Sequence, residues 1–177
     1  MINVKFPHEL FKDGFLVLDL ETTGFPAPDV GIVEIAIMSH EGEILVNTLI
    51  NPRCLIPPRA SKIHGIYDAD VVNAKTFDEI YPELVTLLSS RYVVAYNASF
   101  EQGIFKFVCG RMGLPNFPNV TWYCAMRAYS SHRRRQRFFK LTKACVDEGI
   151  PIINAHRALG DCMMTLRLMH KMASRGD

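Results

Sequence analysis

Phe15-Leu16-Val17-Leu18-Asp19-Leu20-Glu21-Thr22-Thr23-Gly24 opens on a compact apolar run and closes on two carboxylates and a glycine. A run this short reads as a buried strand, and it is far too short to cross a membrane as a helix. Residues two apart on a strand face the same way, so Asp19 and Glu21 share one face. Unpaired carboxylates are costly to bury, and two on one face invite a cation between them. Read alone, the segment also fits a strand end with one acid exposed and capping the loop. Pro26 and Pro28 mark that loop.

Working outward, Ile32 to Met38 and Ile44 to Ile50 read as two further strands. His40-Glu41-Gly42-Glu43 is their hairpin connection, so the first three strands form a meander. Residues 1–13 read as a polar lead-in and Asn51 to Arg59 as a proline-bearing loop. Ala60 to Ile66 reads as a short helical turn stopped by Gly65. Phe77, Ile80, Leu84, Leu87 and Leu88 recur at helical spacing within Thr76 to Ser90. There, Thr76 and Glu79 have the spacing of a capping box. Arg91 to Tyr96 is expected as a fourth strand, and Ala98 to Met112 as a helix ending before Gly113. Val120 to Cys124 is expected as a fifth strand, and 138–148 and 158–172 as helices. The class expected is α/β, a five-stranded mixed sheet covered by helices.

The chain has 177 residues, 49% hydrophobic and 21% charged. That suits a single globular domain over 1–177 with a core at about 14–172, and excludes disorder, collagen and coiled coil. The start carries no apolar signal core, so the expected location is cytoplasmic, with no membrane association. Five cysteines, far apart and without a C-x-x-C pair, are expected to be reduced and mostly buried rather than disulfide-bonded or zinc-bound.

Charge is unevenly placed. Residues 102–146 contain nine basic side chains and no acidic one, whereas the rest of the chain carries 11 basic and 18 acidic residues. A protein that binds a polyanion and also holds divalent cations needs both kinds of region. Within the basic stretch, Arg133-Arg134-Arg135-Gln136-Arg137 is the densest run. Such runs are commonly just solvated faces, but this one also suits phosphate-backbone binding, which carries no sequence preference.

Two more acids stand where chemistry is usually placed. Glu101 follows Tyr96-Asn97-Ala98-Ser99-Phe100 just after the fourth strand. Asp161 lies about one turn into the late helix, near His156. Each has an ordinary reading as a first-turn acid complementing a helix dipole, and His156 as a surface or capping residue. Together, four carboxylates and an imidazole match metal-assisted phosphodiester hydrolysis.

Asp19-Leu20-Glu21-Thr22-Thr23-Gly24, Tyr96-Asn97-Ala98-Ser99-Phe100-Glu101 and His156-Arg157-Ala158-Leu159-Gly160-Asp161 resemble, in order and spacing, the three exonuclease motifs of the DEDD superfamily, histidine subclass, also called DnaQ-like. Together with Trp122-Tyr123-Cys124-Ala125-Met126, they are most similar to the exodeoxyribonuclease X branch. The resemblance implies a ribonuclease H-like fold and removal of nucleotides from a 3′ end as nucleoside 5′-monophosphates. It implies that Asp19, Glu21, Glu101 and Asp161 hold two Mg2+ or Mn2+ ions, with Asp19 shared between them. It also implies that His156 takes the proton from the attacking water, a role suited to a side chain whose ordinary titration spans neutral pH. The family has Asp where this chain has Glu101, which adds a methylene where ions demand tight placement, and His where this chain has Tyr96.

The same resemblance makes Thr22, Thr23, His64, Ile66 and Phe100 the expected contacts of the terminal nucleotide. His64 and Ile66 also read as a buried turn, and Phe100 as a core residue. Arg133, Arg134 and Arg135 are the expected phosphate contacts. The expected substrate is a single-stranded 3′ end, DNA ahead of RNA. A replication or repair protein is the expected kind of partner, docking on the 51–59 loop or the basic run. Two rival readings stand beside this one: a 3′ exoribonuclease using the same site, and a catalytically weakened nucleic-acid-binding module, for which Glu101 is the sole sequence support. Glu34, inside Ile32-Val33-Glu34-Ile35, reads equally as support for the site or as an outward-facing residue.

Overall fold

The strand β1 (Leu16–Thr22) runs through the middle of a five-stranded sheet, in a computed structural model that describes residues 7–174. Leu16, Val17, Leu18 and Leu20 are all buried, each worth about 2 kcal/mol on burial. Because alternate side chains face opposite sides, a strand this apolar is stable only when covered on both. β2 (Ile32–Ser39) pairs antiparallel with β1, and β3 (Ile44–Leu49) antiparallel with β2. β4 (Tyr92–Ala95) lies parallel to β1 on its other side, and β5 (Thr121–Cys124) parallel to β4. The order is β3-β2-β1-β4-β5, the mixed sheet expected from the sequence.

The helices in chain order are α1 (Pro7–Asp13), α2 (Pro58–His64), α3 (Asp68–Val71), α4 (Phe77–Leu88), α5 (Ala98–Met112), α6 (Ala125–His132), α7 (Leu141–Asp147) and α8 (Ala158–Ser174). Leu16, Leu18, Leu20, Ile35 and Ile37 pack with α4 and α5 on one face of the sheet. Val17, Ala36, Met38 and Val94 pack with α1, α6, α7 and α8 on the other. A smaller cluster of Val33, Ile56, Ala60, Ile66 and Val71 seats α2 and α3. The capping box forms: the Thr76 backbone N–H donates to Glu79 Oε2 at 2.7 Å. Gly65, at φ 72°, stops α2 in the left-handed conformation that glycine adopts without a Cβ penalty.

Several boundaries differ from expectation. The lead-in contains α1, because Leu10 is fully buried and Phe11 stacks on His170 of α8; residues 1–6 lie outside the described ones. The helix expected from Phe138 begins at Leu141, since residues 133–140 form a loop. All five cysteines are free; four are buried and Cys54 is exposed. Among the described residues, no helix is long and apolar enough to cross a membrane.

Candidate active site

The C-terminal end of β1 carries the first two acids. Asp19 stands opposite Ala36 and Glu21 opposite Glu34 across the β1–β2 ladder. Just beyond, Thr22 pairs with Ile32, so Val33 is left over as a bulge. A bulge bends the strand and re-aims side chains where it sits, here at the rim of the site. Asp161 arrives from the first turn of α8. Ligand oxygens of Asp19, Glu21 and Asp161 lie within 4.8 Å of one another.

Glu101 enters from the first turn of α5. It is 3% exposed, and its Oε2 is buried with no hydrogen-bond partner among the described residues. The four acids feel one another through a water-poor interior. Burial pushes Asp19 well above the usual carboxylate range, and Asp161, Glu101, Glu21 and Glu34 push it further. Glu21 is pushed up to about 8, chiefly by burial, then by Asp161 and Glu34, with Arg157 opposing. Glu101 is also pushed up to about 8, mainly by burial. Asp161 is raised by burial, while the backbone N–H and the imidazole of His156 act against the rise. Such a cluster requires either bound protons or positive charge. The clustered hard oxygens of Asp19, Glu21 and Asp161 fit a divalent cation of the Mg2+ or Mn2+ kind, and Glu101, outside that group, adds a buried oxygen without a hydrogen-bond partner among the described residues.

His156 is exposed on the turn leading into α8. Asn154 and His156 have φ of 41° and 64°, left-handed conformations that cost a non-glycine residue on the order of 1–2 kcal/mol. Four contacts hold the turn. The His156 backbone N–H donates to Asp161 Oδ1 at 3.2 Å, and the Arg157 N–H to the Asn154 carbonyl at 3.1 Å. Glu34, 3% exposed on β2, takes Arg157 Nη2 at 2.6 Å on Oε1 and the Ala158 backbone N–H at 2.9 Å on Oε2. Glu34 thus faces the site and braces the entry to α8, which decides between its two sequence readings. Its partner is remote in sequence and carried no signal.

The expected nucleotide contacts divide. His64 is 4% exposed, with its Nδ1 accepting the Ile66 N–H at 3.1 Å and its Nε2 buried without a partner. Burial lowers its pKa, within electrostatic reach of Glu34 and Arg157. Ile66 is 2% exposed and packs in the α2–α3 cluster. Its side chain packs in that cluster, while its backbone N–H holds the His64 ring. Thr22 Oγ1 donates to the Gly24 carbonyl at 2.7 Å, and Thr23 Oγ1 accepts the Gly31 N–H at 2.8 Å. Both hydroxyls shape the wall beside the acids. Phe100 is half-buried and meets Phe25 edge-on at 6.5 Å. Phe25 is 82% exposed and went unnoticed in sequence; its only signal was a large apolar residue inside a Gly-Pro loop. Arg133 pairs with Glu148 at 3.3 Å, whereas Arg134 and Arg135 extend into solvent.

The exonuclease family model RNase_T matches residues 16–169. This chain is a member of that exonuclease family. The "Uncharacterized exonuclease CP81" of Escherichia phage 186 is 34% identical, over 93% of this chain and 91% of the phage protein. The DNA polymerase III subunit epsilon of Treponema pallidum is 29% identical, over 89% of this chain and 75% of the subunit. The structure of Exonuclease X in complex with 5′ overhanging duplex DNA aligns at TM-score 0.71 and 27% identity, covering 92% of this exonuclease and 93% of that chain. The fold is therefore the ribonuclease H-like one, and the DnaQ-like resemblance read from the three motifs agrees with these relatives.

Proposed function

We propose that this exonuclease removes nucleotides from 3′ ends, mainly of single-stranded DNA, releasing nucleoside 5′-monophosphates. The observation that carries the reading is the convergence of Asp19, Glu21 and Asp161, with His156 on the turn just before α8, its backbone N–H on Asp161 Oδ1. Exonuclease X, solved with DNA, supports a nucleic-acid substrate. The epsilon subunit supports a replication or repair setting with a protein partner.

Asp19, Glu21, Glu101 and Asp161 are the residues to hold two Mg2+ or Mn2+ ions. Divalent cations in such a site neutralise the phosphate and make water a better nucleophile near neutral pH. His156, exposed at the rim, accepts the proton of the attacking water at its imidazole. Glu34 and Arg157 keep that imidazole on its turn. His64, packed beside the Thr22 backbone, borders the place proposed for the terminal sugar, and Thr22 and Thr23 line the adjoining wall. Phe100 and Phe25 present ring edges and faces on which a base can stack without regard to its identity. Exposed Arg134 and Arg135, with no ion pair among the described residues, suit phosphates further off, with Arg133 held by Glu148.

The test is direct. End-labelled DNA and RNA oligomers are incubated with magnesium, manganese or a chelator. A ladder shortening from the 3′ end of DNA, absent with chelator and absent in Asp19→Ala, is the expected result. Faster shortening of RNA moves the assignment to the exoribonuclease reading. Intact oligomers with both metals sink the enzyme reading in favour of a binding module.

A further inference from the structure

We propose that the groove between α5 and the edge strand β5 carries the nucleic-acid strand behind the scissile nucleotide; this rests on the exonuclease reading above. Ser99, Gln102 and Lys106 are exposed along one side of α5, while Glu101 between them is buried toward the acids. The three span about 10 Å at 1.5 Å per residue. With Trp122 and Asn116 they bound a groove of about 430 Å3. A smaller recess of about 50 Å3 adjoins it, lined by Ser99, Gln102, Trp122 and Arg127. The recess starts at the C-terminal end of the parallel strands, where the acids lie, and the groove leads away from it along the sheet edge.

Its chemistry selects the occupant. No acidic residue occurs anywhere between residues 102 and 146. Lys106 and Arg127 form no ion pair among the described residues. Their charges are therefore available to phosphates. Trp122, half-buried against Phe105, offers an aromatic surface, and Gln102 and Asn116 offer amides. Cations and an aromatic platform without acids are the pattern of single-strand binding without base readout. A protein partner that pairs through carboxylates is the competing occupant, and the test separates the two.

Trp122 is the chain's sole tryptophan, so its emission reports on the groove. Oligothymidine added to the wild-type protein in chelator should quench that emission saturably, and less so as salt rises. In manganese, Lys106→Ala/Arg127→Ala should raise the ratio of KM values, oligomer over p-nitrophenyl thymidine 5′-monophosphate, by about tenfold. The ester is too small to reach the groove. Trp122→Phe, which keeps an aromatic ring, should retain the oligomer KM. Normal oligomer degradation with no quench, or an unchanged KM ratio in the double variant, overturns the groove and leaves the exonuclease reading standing. Failure of the wild-type protein to cleave both ester and oligomer in manganese overturns that reading and the groove with it.

Discussion

Glu34 and Arg157, from the second strand and the turn before α8, meet as a forked ion pair with Arg157 Nε at 3.1 and 3.2 Å and Nη2 at 2.6 Å from the Glu34 carboxylate. The carboxylate side chain is 5% exposed and the guanidinium side chain 48%. The half-exposed Arg moderates what the pair contributes to stability. Its effect on geometry is larger, because the same carboxylate also accepts the Ala158 N–H and so fixes the start of α8. Glu34→Gln should cost about 1–3 kcal/mol in urea unfolding. It should also lower kcat about tenfold or more, with KM little changed. Arg157→Lys should not restore the rate, since an ammonium cannot reproduce the fork. Wild-type kcat in Glu34→Gln would show that the turn needs no such brace.

Gly160 is set against backbone. A Cβ there would lie 2.4 Å from the Ile153 carbonyl oxygen and 2.5 Å from that of Asn154. Neither atom can swing aside as a side-chain tip would. Gly160→Ala should therefore displace the 153–157 turn, cost about 1–3 kcal/mol and reduce kcat. Thermal unfolding and steady-state kinetics check it; an unaltered Tm contradicts the close approach.

Glu101 tests how far the site tolerates length. Its Oε2 has no hydrogen-bond partner among the described residues. Glu101→Asp restores the residue of the family motif and should retain or raise the magnesium-supported rate. A fall of about tenfold, roughly 1.4 kcal/mol, would mean that the site is built around the longer side chain. Glu101→Gln removes the need to take up a proton on folding near neutral pH, so it should raise the Tm in chelator there while shrinking the further rise that manganese gives.

Acidity and cation binding are linked here. Glu21 and Glu101 are each pushed up to about 8. Between their ordinary range near 4.5 and about 8, the folded chain holds protons that the unfolded chain releases. The stability this provides is full below the lower value and is lost as pH rises through the upper one. In chelator, Tm should therefore decline across that window from these groups. Manganese replaces the protons, so the Tm difference between manganese and chelator should widen from about pH 5 to about pH 8.5. A constant difference across that range contradicts the shared site.

The sequence disclosed what repeats or alternates. β1 was legible because an apolar run ending in acids has few other interpretations, and α4 because its periodicity is long and its capping box complete. α1 escaped because seven residues with one buried leucine give no period to detect. Glu34 stayed ambiguous because a polar residue within a strand can face either way until its partner is known. The burial of Ile66 was not legible because a motif says which residues stand together, not which of them points inward. Phe25 shows the reverse: an exposed aromatic in a proline loop has no pattern to mark it.

The acids come from β1, α5 and α8, which sit early, midway and late among the described elements. No fragment lacking α8 can assemble the cluster. If these acids carry catalysis as proposed, a nascent polypeptide stays inactive until its late helix docks.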